Sequence, residues 1–82
     1  MTRILFFGRV AEHLGPESRL DLPEEGVNVG EIRRALAARD ALFASTLLRP
    51  DVRASVDLVV VSDETLARPG QEIAFFSLFS GG

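Results

Sequence analysis

The 82-residue chain contains no cysteine, no lysine and one histidine, His13. Each absence removes a class of chemistry. Without cysteine there is no disulfide, no thiolate metal site and no persulfide carried on a side chain. Without lysine there is no Schiff base and no side-chain amine to receive an acyl group. One histidine, in the polar stretch AEHLG, does not make a zinc cluster or a Ser-His-Asp triad, so His13 reads as structural or solvated. No apolar run approaches the roughly 20 residues that span a bilayer. The opening MTRILFFGR is interrupted at Gly8-Arg9, too early for a signal peptide. A cytoplasmic protein with no membrane partner is expected. Net charge is −3 and acidic residues are scattered, with no basic stripe to suggest a nucleic-acid partner. By composition the chain reads as a substrate or partner of enzymes, with no metal and no cofactor bound to it.

What is present suits one small folded domain. Hydrophobic residues make up 46% of the chain, too many for a disordered one. TRILFFGRV reads as a strand rich in β-formers, ended by Gly8. Ile4 and Phe6 share one of its faces. Leu5 and Phe7 share the other with Arg3 and Arg9, so that side reaches solvent. Residues 10–15 read as a turn or helical turn, SRLDL as a short hairpin partner and PEEG as a loop. Asn28 with Glu31 three residues on is a capping-box pattern. The helix that follows, VGEIRRALAARD, carries Val29, Ile32, Leu36 and Ala35 on one stripe, with Arg33, Arg34 and Arg39 outside it. ALFASTLL is a second helical piece, stopped at Arg49-Pro50. VRASV and LVVV are strands, and SDETLARPGQE is a long connection whose Pro69-Gly70 fits a type II turn. EIAFFSLF is the last strand.

One principal helix can cover only one face of such a sheet. The expected fold is therefore α+β, a two-layer sandwich with a mixed four- to five-stranded sheet. Its core would hold Ile4, Phe6, Ile32, Leu36, Val59, Ile73 and Phe75. Parity in the last strand puts Ala74 and Phe76 with Glu72 on the uncovered side. Phe7 and Phe76 would then form an apolar patch that calls for a partner. Residues 1–78 are expected to form the domain and 79–82 a flexible Gly-Gly tail. Fraying accounts for terminal glycines, but not for phenylalanine close beside them in FSLFSGG.

These segments together resemble a known family. LFFGRVAEHLG, VGEIRRAL, VRASVD and above all RPGQEIAFFSLFSGG are similar, in the same order and over essentially the whole chain, to the molybdopterin synthase small subunit, the MoaD-type sulfur carriers. The resemblance implies a β-grasp, ubiquitin-like fold and a mechanism. An adenylating (E1-like) enzyme would use ATP to activate the carboxylate of Gly82. A sulfurtransferase would replace the AMP to leave a thiocarboxylate. The synthase large subunit, in a hetero-oligomer expected to be a heterotetramer, would take the tail and pass sulfur to a cyclic pterin precursor. The chain itself would be the non-catalytic, sulfur-carrying subunit. Matching positions make Phe7, Val60 and Phe76 the partner-facing patch, with Leu78, Phe79, Ser80 and Gly81 in contact along the tail and Gly82 at the chemistry. Glycine would leave the tail narrow and adaptable, and the missing cysteine fits a sulfur that rides on a carboxyl terminus.

The sequence departs from that family at three places. Ser77-Leu78 stands where two prolines are common, Val56-Asp57 where Val-Asn is common, and Gln71 where aspartate is frequent. Two other functions suit the same tail. One is sulfur carriage for thiamine thiazole or for protein-based cysteine synthesis, although thiamine carriers usually lack much of the region corresponding to ALFASTLLRP. The other is a ubiquitin-like modifier or interaction domain with no sulfur role.

Overall fold

The computed structural model describes residues 1–77. The site residues Leu78, Phe79, Ser80, Gly81 and Gly82 lie outside the described residues. Strand β1, Thr2–Phe6, buries Ile4 and Phe6 and turns Arg3 outward, as alternation requires. Helix α1, Gly8–Leu14, follows and ends at Gly15. Strand β2, Glu17–Leu20, then returns antiparallel to β1, with Leu5 opposite Glu17 and Thr2 opposite Leu20.

Strand β3, Val27–Asn28, leads into helix α2, Val29–Ala37. The Asn28 side chain accepts a hydrogen bond from the Glu31 amide at 2.8 Å, so the expected cap is in place. Asp40 caps helix α3, Ala41–Leu47, in the same way through the Phe43 amide. Strands β4, Val52–Val56, and β5, Val59–Val61, form a hairpin around Asp57 and Leu58. Both turn residues have positive φ, the geometry that matches the twist of the flanking strands. After β6, Leu66–Ala67, comes β7, Ile73–Ser77.

The main sheet has the order β2-β1-β7-β4-β5, with β1 and β7 parallel at its centre and the other pairs antiparallel. All three helices contribute to a single core on one face, through Val10, Ile32, Leu36 and Leu47 packed with Ile4, Phe6, Ile73 and Phe75. This is a β-grasp architecture. The connection 62–72 is more ordered than a plain loop: β6 pairs antiparallel with β3 in a small second sheet. Gly26 makes that pairing possible. Its φ is +87°, and an added Cβ would lie 2.6 Å from the Ala67 carbonyl oxygen. Gly70 has φ +91°, as the expected turn requires.

Two expectations need correction. Val59 is not in the core but 62% exposed. It has the parity of buried Val56, its partner across the ladder, yet it stands on an edge strand directly after the turn, where no helix covers it. The helix stripe also differs. Ala37 is buried and Ala35 exposed, and Arg33 lies against the core with only 11% of its side chain accessible. Its guanidinium donates to the carbonyls of Leu47 (2.8 Å) and Val52 (3.0 Å) and to Asp63 (2.9 Å). It also lies 5.2 Å from the centroid of the Phe75 ring. One arginine thus ties α2 to the end of α3, the start of β4 and the 62–65 turn, satisfying carbonyls that the α3 terminus leaves over.

Candidate functional site

The face of the sheet opposite the helices carries the expected patch. Register sets its rows. Leu5, Ala74, Ser55 and Val60 stand side by side across β1, β7, β4 and β5. In the next row Phe76 lies opposite Arg53. Phe7 has the parity of Leu5, keeps extended dihedrals (φ −129°, ψ 159°), and its amide donates to the Phe75 carbonyl at 3.1 Å. The structure therefore brings Phe7, Val60 and Phe76 to one face. Phe7 and Val60 are about half exposed, at 52% and 55%, and Phe76 is partly buried. Ala74, central on this face, is nearly inaccessible because Leu5 and Ser55 flank it. The result is a shallow apolar surface, bordered on the β2 side by Arg3 and Arg19 with Glu17 between them.

Strand β7 delivers the chain from this surface towards residue 78. At its end the Ser77 hydroxyl donates to Asp51 Oδ2 at 2.8 Å, and Arg49 Nε donates to Oδ1 of the same carboxylate at 3.1 Å. Proline at position 77 could not make that bond. Serine replaces ring stiffness with a hydrogen bond between β7 and the residue before β4. His13 is exposed and lines a cavity of about 230 Å³ between α1 and α3, to which Asp51 and Ser77 also contribute.

The other two departures meet each other. Asp57 Oδ1 accepts the Glu72 amide and Oδ2 accepts Gln71 Nε2, both at 2.9 Å, while Gln71 Oε1 accepts the Arg68 amide at 2.8 Å. Asp57 and Gln71, separate departures from the carriers that the sequence resembles, thus meet as one carboxylate–amide pair. Nothing in either segment alone reveals this, because the partners are far apart in sequence.

These bonds depress two carboxyls. The Glu72 amide, then Gln71, holds Asp57 below the usual range against a small desolvation effect. The Ser77 hydroxyl lowers Asp51, partial burial opposes it, and Arg49 adds to the lowering. Both folded values lie below the unfolded value of about 3.9. Their contribution to stability is fully present above about pH 4 and is lost as pH falls through the folded values. Asp57→Asn should lower stability at pH 7, since its amide would face the Gln71 amide donor to donor, and should flatten acid unfolding below pH 4. Adding Gln71→Glu, which restores an acceptor, should recover part of the loss. Denaturant titrations at pH 7 and pH 3 check this. Equal stability of wild type and Asp57→Asn at pH 7 would remove Asp57 from the argument.

Among the described residues no helix is long and apolar enough to cross a membrane. Comparison with solved structures finds the same fold in SAMP1 from Haloferax volcanii. The crystal structure of that protein aligns at TM-score 0.76 and 20% identity, covering 99% of this chain and 98% of the other. A second crystal structure, of H. volcanii small archaeal modifier protein 1, aligns at TM-score 0.75 and 19% identity over 93% and 94% of the two chains. The solution structure of the Haloferax volcanii HVO 2177 protein aligns at TM-score 0.75 and 20% identity, over 99% and 85%. Likeness at this identity establishes the fold. Comparison with curated protein sequences finds no match. The ThiS family model matches residues 4–82, from within β1 to the second glycine. The chain belongs to the ThiS family.

Proposed function

We propose that this ThiS-family chain is the sulfur-carrying small subunit of a molybdopterin synthase, acting through the main-chain carboxylate of Gly82. The observation that carries the proposal is the apolar face of Phe7, directly after β1, Phe76, on the strand that leads to the tail, and Val60, on β5 beyond β4. A carrier must present one carboxylate to two enzymes in turn, so it needs a docking surface near the tail. An apolar surface there offsets the entropy lost when a tail is ordered in a partner's pocket. The RPGQEIAFFSLFSGG segment and the α3 region favour the molybdopterin pathway over thiamine thiazole synthesis.

The chemistry follows from the carboxylate. Gly82 oxygen attacks the α-phosphate of ATP in the adenylating enzyme, pyrophosphate leaves, and AMP becomes a good leaving group on the acyl carbon. A persulfide sulfur of the sulfurtransferase displaces AMP to form an acyl disulfide, and a thiol reductant cleaves its S–S bond to leave the thiocarboxylate and a disulfide. The synthase large subunit then directs that sulfur to the pterin precursor. The protein, incubated with ATP, activating enzyme and a sulfur source, should exchange one terminal oxygen for sulfur by intact mass. Mixed with large subunit and precursor, the product should yield molybdopterin. Thiocarboxylate without molybdopterin would point to carriage for thiamine thiazole or cysteine synthesis.

A second reading has its own support. The fold likeness is to a protein named as a small archaeal modifier, and a Gly-Gly end also suits conjugation. A branched Gly-Gly remnant on lysines of other proteins from the native cells, with no thiocarboxylate on this chain, would establish the modifier.

The docking face has a separate test. Phe76→Asp should cost at most about 1 kcal/mol of stability, as for a partly exposed site. It should weaken large-subunit binding about tenfold or more, read by calorimetry beside a thermal melt. A variant that fails to fold would place Phe76 in the core instead.

A further inference from the structure

A groove of about 500 Å³ runs between α2, the end of α3 and the outer edge of β4. It lies where β4 outruns β5, whose pairing begins only at Ala54. Arg33, Arg34, Arg49 and Arg53 line it, against one carboxylate, Asp63. Asp63 is already bound to Arg33, and Arg49 is paired with Asp51. Neither Arg34 nor Arg53 has an ion-pair partner among the described residues. The chain as a whole carries net charge −3, so this concentration of positive charge runs against the average and sets up a local attractive field for anions.

We infer that this groove takes an acidic, partly apolar segment of a protein partner. Three features select that occupant. The arginines are spread along the groove and no glycine-rich loop or helix N-terminus converges on one point, which a phosphate group would need. Leu48, Pro50 and Val61 share the lining with the arginines, so the surface fits a chain carrying both carboxylates and apolar side chains. Arg53 also stands opposite Phe76 on the open face. A partner covering Phe76 therefore reaches the groove without leaving the surface, and its charges would fix orientation and speed encounter. The site differs from the Gly82 chemistry and holds whichever pathway the carrier serves.

The test uses the full chain and a fluorescein-labelled eight-residue peptide of alternating glutamate and leucine, read by anisotropy. Saturable binding should weaken steeply as salt is raised. A glutamine–leucine peptide should not bind. Arg34→Gln with Arg53→Gln should weaken binding about tenfold, the expected loss for two charge contacts. Arg3→Gln with Arg19→Gln, on β1 and β2 at the other side of the sheet, should change it less than about twofold. Arg33 is left intact because it holds the fold, and a thermal melt confirms that each double variant is folded. Inorganic tripolyphosphate and a single-stranded oligonucleotide are run as competitors. Absence of saturable peptide binding, equal loss in the two double variants, or tighter binding of either competitor would overturn the inference.

Discussion

Phe75→Ala should lower the unfolding free energy by about 3–5 kcal/mol. The residue is fully inaccessible and sits in the central strand, with Phe6 across one ladder and Ala54 across the other. Removing the ring takes away its transfer free energy and leaves a cavity that two rigid neighbouring strands cannot close. It also removes the surface beneath the Arg33 guanidinium, 5.2 Å from the ring centroid. Arg33 would keep its three oxygen partners but lose the ring contact, and its Nε is already buried with no partner among the described residues. A chain of this length has a total stability of only about 4–12 kcal/mol, so the variant should be marginal at 37 °C. Urea unfolding followed by far-UV circular dichroism measures this, with a lower midpoint and an unchanged m-value. Val59→Ala is the matched control. It truncates a valine that parity alone would place in the same core, and it should change stability by less than about 0.5 kcal/mol. A loss under about 1 kcal/mol for Phe75→Ala would mean that the core is not organised around β7.

Val59 and Arg33 mark where sequence reading stopped short, for different physical reasons. Alternation in β1, β4 and β7 predicts which face each residue takes, and Ile4, Phe6, Ile73 and Phe75 are all on the helix side. Parity gives a side, however, and not a cover. Whether a helix lies above Val59 depends on strand order, which places β5 at the edge. Arg33 was within reach of the pattern. Positions 29, 32, 33 and 36 follow the helical spacing of a buried stripe, and an arginine at one of them can enter the core with its head satisfied. Charge alone argued it outward, yet the oxygens of Leu47, Val52 and Asp63 that hold it come from residues 14, 19 and 30 positions away. The same distance hid the Asp57–Gln71 pair, legible in sequence only as two separate departures, and the Ser77–Asp51 bond, legible only as a departure at Ser77. The apolar face was the most readable part of the site, because Phe7 and Phe76 follow from strand parity and Val60 from the resemblance to the carriers. The groove was not readable, since its four arginines come from a helix, a loop and a strand.

Deleting Gly82 should abolish thiocarboxylate formation while leaving the fold intact. The proposed role belongs to a main-chain carboxylate that the length of the tail must carry into a partner's pocket, so position matters more than side chain. Removing one residue draws the carboxylate back by up to about 3.5 Å. Reaction with the α-phosphate of ATP needs the two atoms about 3–3.5 Å apart, so the shortened tail falls short by roughly a whole contact distance. The Phe7, Val60 and Phe76 face is untouched, and partner binding should change little. Gly82→Ala is the informative companion. It keeps the carboxylate at its position and adds one methyl group, so it should retain more sulfur loading than the deletion. Intact-mass measurement after incubation with ATP, activating enzyme and sulfur source reads loading, and calorimetry against each partner reads docking. Unchanged loading in the deletion would defeat the Gly82 assignment. Equal loss in both variants would mean that the partner's channel, and not the reach of the tail, sets the reaction.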